Sequence, residues 1–212
     1  MTLRRRAAGP ALHESLLLAF AGACDQAAVR RWHRELGYGL AAAVLLDLER
    51  TGRVEVLPDQ VLVRDASAAD DPVADALLER MVLADRAHAA RAWLETLAGG
   101  MLTAVRDQLL ATGRLTPARR RRLGLFPVVD HLPADERAAA RLVALVRTAS
   151  GTPGAGGDTA GVLAPLIGAA RLGRAMGCPP AHWDHCPRPV AVVAKDLSLA
   201  VAAAGVPLAF GG

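Results

Sequence analysis

Two stretches of this chain hold residue types and spacings that could do chemistry. The first is Cys178-Pro-Pro-Ala-His182-Trp-Asp-His185-Cys186, which supplies the two thiols and two imidazoles of a tetrahedral zinc site. Its order, C-x3-H-x2-H-C, departs from standard zinc spacings, and the adjacent His185 and Cys186 are poorly placed to chelate together. It reads better as a proline-rich loop before the last helix, with no metal and no cofactor. The second stretch is Trp32 flanked by Arg30, Arg31 and Arg34. Guanidinium forks bind phosphate oxygens, and an indole sits well at the depth of lipid headgroups. Arg106 falls on a later helix and could add to the same anion-binding surface.

The remaining chemistry is sparse. Arg119-Arg120-Arg121-Arg122 is the densest basic run. If helical, its four side chains point in every direction and cannot all face one partner. The histidines at 13, 33, 88, 131, 182 and 185 are scattered. No serine or cysteine stands in a nucleophile elbow, and no acid pair has helical spacing in an apolar cleft. The expectation is a protein that is not an enzyme.

The elements that must position these residues are mostly helical. Residues 39–48, GLAAAVLLDL, are almost uninterruptedly apolar, so a helix there must be buried nearly all round. Gly52 follows as a helix-ending residue, and Val54, Val56, Val61 and Val63 alternate as strands do, with Pro58-Asp59 as the turn. A first helix is expected over residues 12–22, and a surface turn or short helix over 26–35. Asp71-Pro72 reads as the N-cap and first residue of a helix through 81. A further helix is expected from Asp85 to Gly99-Gly100, with another over 101–112. Thr116-Pro117 should open a short arginine-rich helix, and residues 124–132 a second hairpin or extended excursion. Long helices follow from Asp135 to about Thr148, over 158–176 and over 189–204, with a glycine-rich loop over 150–157.

The fold class is therefore mainly α: a single globular helical domain with buried central helices, an outer layer of amphipathic helices and two small β-hairpins. Residues 1–11 would be a flexible basic arm and 12–212 the domain. The arm plus the apolar run after it faintly resembles an export signal, but Pro10, His13 and Glu14 interrupt it. Hydrophobic residues make up 52% of the chain, yet no stretch reaches the roughly 18 apolar residues of a membrane span. The net charge is +4 and rests on arginine, since Lys195 is the only lysine. That balance suits anionic partners, although an Ala- and Arg-rich composition also fits a high-GC genome. The three cysteines, odd in number and far apart or awkwardly placed, form no disulfide framework, which agrees with a cytoplasmic protein.

The order of motifs resembles the Golgi phosphoprotein 3 family in its bacterial, actinobacterial-like form. The segments that carry the resemblance are Glu14-Ser15-Leu16-Leu17-Leu18, GLAAAVLLDLERTGRVEV, DDPVADALLERM, ARAWLETLAGG and LLATGRLTPARRRRLGLF, in that order. The resemblance implies a peripheral membrane adaptor that binds phosphatidylinositol 4-phosphate in its eukaryotic members, through an indole and three arginines. Trp32 stands at the indole position. Ala41 occupies one arginine position, and the other two fall near Gly99 and Leu102. The substitute anion-binding set here is Trp32, Arg31, Arg34 and Arg106. The resemblance also implies self-association through Phe126, Pro127, Val128 and Val129. The expected partners are an anionic phospholipid headgroup, a second copy of the chain and other proteins, at the inner face of a membrane.

One alternative comes from another class. LLDLERTGRVEV followed by VLVR resembles the last helix and wing of a winged-helix DNA binder. No helix, however, carries the Arg, Asn and Gln pattern that reads base edges, so nucleic acid is not the expected partner.

Overall fold

The computed structural model describes residues 10–122, 126–152, 156–180 and 186–205. Helix α3, His33–Arg50, is the hub. Residues Leu36 to Leu46 and Leu48 are all buried along it, and α1 (Leu12–Ala23), α4 (Pro72–Leu83), α5 (Ala90–Ala111), α7 (Gly157–Ala169) and α9 (Arg188–Gly205) all pack on it. Each fully buried leucine contributes about 1.5–3 kcal/mol. The helix starts six residues earlier than its apolar run, because its first turn is polar and lies outside the core.

Close helix approach needs a missing side chain at one point. A Cβ on Gly37 would lie 2.3 Å from the Ala98 carbonyl oxygen, so only glycine lets the α5 backbone lie against α3 there.

The two long helices end in the same way. Thr51 caps α3; Gly52 is left-handed (φ +73°), its N–H bonds Glu49 O at 3.0 Å, and the Arg53 N–H bonds Leu48 O at 2.9 Å. Thr112, Gly113 (φ +68°) and Arg114 repeat the pattern at the end of α5, onto Leu110 and Leu109. These are Schellman closures, which satisfy the last carbonyls and turn the chain into a strand. Thr-Gly-Arg-Val and Thr-Gly-Arg-Leu thus each launch a hairpin.

The first hairpin pairs β1 (Val54–Val56) with β2 (Val61–Val63) antiparallel, and Val54, Val56 and Val61 are buried. The second pairs β3 (Leu115–Arg122) with β4 (Phe126–Pro133), in register from Leu115↔Pro133 to Arg122↔Phe126. This corrects the expectation of a short helix at Thr116-Pro117: the four arginines lie on a strand. A proline at a helix start and one near the beginning of an edge strand look alike in sequence, and the partner that decides between them comes after the turn.

Two further boundaries differ. Helix α5 begins at Ala90 and not Asp85, and runs unbroken through Gly99-Gly100. The two glycines cost about 1 kcal/mol each, but the buried stripe of Trp93, Leu94, Leu97, Met101, Val105 and Leu109 outweighs them. Residues 158–176 are not one helix. Helix α7 stops at Ala169, Arg171 takes a left-handed conformation (φ +61°), and α8 (Gly173–Met176) follows. Helix α4 forms as expected on Asp71, whose carboxylate accepts from Val73 N and Ala74 N at 3.0 and 2.8 Å. Helix α6 (Glu136–Gly151) is an amphipathic outer helix that buries Ala139, Val143 and Val146, and a short α2 (Gln26–Arg31) precedes the hub. No helix among the described residues is long and apolar enough to cross a membrane.

Candidate anion-binding surface and buried charge cluster

The arginine–indole group sits at the joint between α2 and α3. Asp25 caps α2, its carboxylate accepting the Ala28 N–H at 2.8 Å. Arg30 and Arg31 fall in the last turn, where the helix dipole favours cations. The Trp32 N–H closes α2 on Ala28 O, and the Trp32 carbonyl accepts the first N–H of the hub, from Leu36, both at 2.8 Å. The indole is half-buried against the core, while Arg30, Arg31, His33 and Arg34 around it are exposed. His33 Nδ1 donates to Arg30 O at 2.9 Å and holds the turn. Arg34 Nη1 donates to Ala204 O at 2.5 Å, tying the joint to the last turn of α9. A ring packed against the core is therefore flanked along the chain by exposed cations, one of them tied to α9.

Arg106 is engaged by its own neighbour. Its guanidinium is bonded to the adjacent Asp107, with Nε and Nη2 at 3.1 and 3.0 Å from Oδ1. It lies beside His131 on β4, and burial together with the Arg106 charge pushes that imidazole below its ordinary pKa. The His131 carbonyl accepts from Gln26 Nε2 at 2.8 Å, which ties β4 to the start of α2.

A second polar group, overlooked in the sequence, is buried where α1, α3, α4 and α5 meet. His13 is fully buried. Its Nδ1 lies 2.8 Å from Asp47 Oδ2, and its Nε2 lies 3.4 Å from Asp71 Oδ2, an ion-pair contact. The Leu12 N–H also reaches the Asp47 carboxylate at 2.9 Å, so Asp47 closes the N-terminus of α1. Asp71 accepts Gln108 Nε2 at 2.7 Å, and Glu14 is paired with Arg114. Burial alone would lower the His13 pKa. The two carboxylates win and hold it up at about 9, while Asp71 is pulled down to about 2 despite its own burial. The imidazole is therefore a cation at neutral pH, with no free base to offer. Two titratable residues, His13-Glu14, at the head of an otherwise apolar helix were the one signal of this cluster in the sequence.

A family model for Golgi phosphoprotein 3 (GPP34) matches residues 12–205, from the first residue of α1 to the last of α9. The chain belongs to the Golgi phosphoprotein 3 family. No curated protein matches it.

In this Golgi phosphoprotein 3 domain the expected arginine positions are occupied differently. Ala41 is fully buried inside α3, Gly99 is exposed on α5, and Leu102 is half-buried. The helix-and-wing resemblance also meets an obstacle. A recognition helix must present a face to the groove, and α3 is buried on all sides from Leu36 to Leu46. Of the hairpin residues, Val129 is exposed, and the side chains of Phe126, Pro127 and Val128 lie outside the described residues. His182 and His185 also lie outside them. Among the described residues no group of three or more His, Cys, Asp or Glu could hold a metal.

Proposed function

We propose that this Golgi phosphoprotein 3 family member is a non-enzymatic adaptor that docks peripherally on anionic membrane surfaces, using Arg30, Arg31, Trp32 and Arg34. The observation that carries this is the α2–α3 joint: exposed Arg30, Arg31 and Arg34 flank, along the chain, an indole packed against the core. Each cation near an anionic leaflet gains about 1 kcal/mol, and Trp32 supplies an amphipathic ring at headgroup depth. Because Ala41, Gly99 and Leu102 replace cations, the surface would recognise anionic charge in general and not one phosphoinositide. Arg106, held by Asp107, belongs to the periphery of this surface.

Flotation with vesicles of phosphatidylcholine alone and with added phosphatidylserine tests this. Binding should require the anionic lipid and fade as salt rises. Equal partition into both vesicles would remove the proposal.

The β3–β4 hairpin is the proposed self-association surface. A two-stranded sheet has open edges, and Val129 places an exposed apolar side chain on it.

A further inference from the structure

We infer that Cys24 and Cys178 form an oxidisable thiol pair, joined as a disulfide when a peroxide is present. Cys24 follows α1, and its Sγ donates to Ala175 O at 3.3 Å, on α8. Cys178 lies just after the same short helix, and its N–H folds back onto Gly173 O at 2.8 Å, which brings residue 178 over the turn that Cys24 touches. Two cysteines distant in sequence are therefore both bonded to the short α8, Cys24 through its thiol and Cys178 through its backbone. Both are free and half-buried.

Arg147 completes the group. Its Nε and Nη2 donate to Met176 O at 2.9 and 2.7 Å, holding the guanidinium beside this turn. Burial pushes both thiols up, and the Arg147 charge opposes it at both. The balance differs between them. Asp25 further disfavours the Cys24 thiolate, whereas the Ser150 side chain helps the Cys178 thiolate. The Cys24 thiol is held protonated by donating to Ala175 O, so the first attack falls to Cys178.

The chemistry balances with hydrogen peroxide as the two-electron oxidant. The Cys178 thiolate attacks one peroxide oxygen and the O–O bond breaks. A sulfenic acid forms, and hydroxide leaves as water with the proton released by the thiol. Cys24 sulfur then attacks the Cys178 sulfur, forming S–S and breaking S–OH, and a second water leaves with the Cys24 proton. The resulting bond would staple the end of α1 to α8. Cys24 is also the residue before the cap of α2, so the staple would fix the base of the arginine joint.

The test is peroxide treatment of the full chain, alkylation of remaining thiols, and peptide mapping without reductant. A Cys24–Cys178 linked peptide is expected, with Cys186 alkylated, and Cys186→Ser should oxidise as the wild type does. Cys24→Ser should leave a Cys178 sulfenic acid that dimedone traps. Three alkylated cysteines after treatment, or a peptide linking Cys178 to Cys186, would overturn the inference.

Discussion

His13 Nδ1 lies 2.8 Å from Asp47 Oδ2 while the other ring nitrogen faces Asp71, so one buried imidazolium joins the hub helix to the cap of α4. Removing the ring leaves two carboxylates facing each other without their cation, and the Leu12 N–H bond to Asp47 loses its neighbour. His13→Ala should destabilise the fold by about 3–5 kcal/mol, the cost of breaking a buried pair on one side. Urea unfolding would measure it. A loss under 1 kcal/mol would mean that the cluster is solvated.

The same pair sets a pH window. His13 is raised from 6.5 to about 9, so its contribution is complete below about pH 6.5 and disappears as pH rises through 9. Asp71 is lowered from 3.8 to about 2, so its contribution is complete above 3.8 and disappears as pH falls through 2. The His13 part amounts to about 3 kcal/mol. Thermal midpoints should therefore fall between pH 7 and 10 in the wild type more than in His13→Gln. Parallel profiles for the two proteins would contradict the assignment.

Glycines on the two central helices should respond in opposite directions. A Cβ at Gly37 meets the Ala98 carbonyl oxygen at 2.3 Å, whereas one at Gly99 or Gly100 meets nothing within 4 Å. Gly37→Ala should cost about 1–3 kcal/mol as backbones are forced apart. Gly99→Ala should gain about 0.5–1 kcal/mol, since it removes a helix-interior glycine. Calorimetry on both variants checks the contrast, and equal shifts would be inconsistent with this packing.

What was legible in the sequence was local. The apolar run of α3, the Asp71-Pro72 cap of α4 and the Gly52 and Gly113 closures follow from short-range rules, and the structure contains each. The misreadings were decided by distant partners. The arginine run is a strand because residues 126–133 pair with it. Gly99-Gly100 stays helical because a buried stripe spans both halves of α5. His13 finds Asp47 only after 34 residues of chain, and no periodicity signals that. The arginines around Trp32 were legible as a cluster, but their common position at a helix joint was not.

The hairpin gives a prediction about mass. Val129 on β4 is 47% exposed, opposite Arg119 in register. If the hairpin joins copies of the chain, Val129→Glu should shift the species seen by light scattering toward the monomer without lowering the melting temperature. An unchanged mass distribution would remove the hairpin as the contact.

Vesicle flotation of the double variant Arg30→Glu, Arg31→Glu beside the wild type tests the α2–α3 joint directly. Both side chains are exposed at the end of α2, so the fold should survive reversal of their charge. The wild type should float with phosphatidylserine vesicles at low salt and the variant should stay in the soluble fraction, with matching melting curves. A variant that floats as well as the wild type would show that the α2–α3 joint is not the membrane contact.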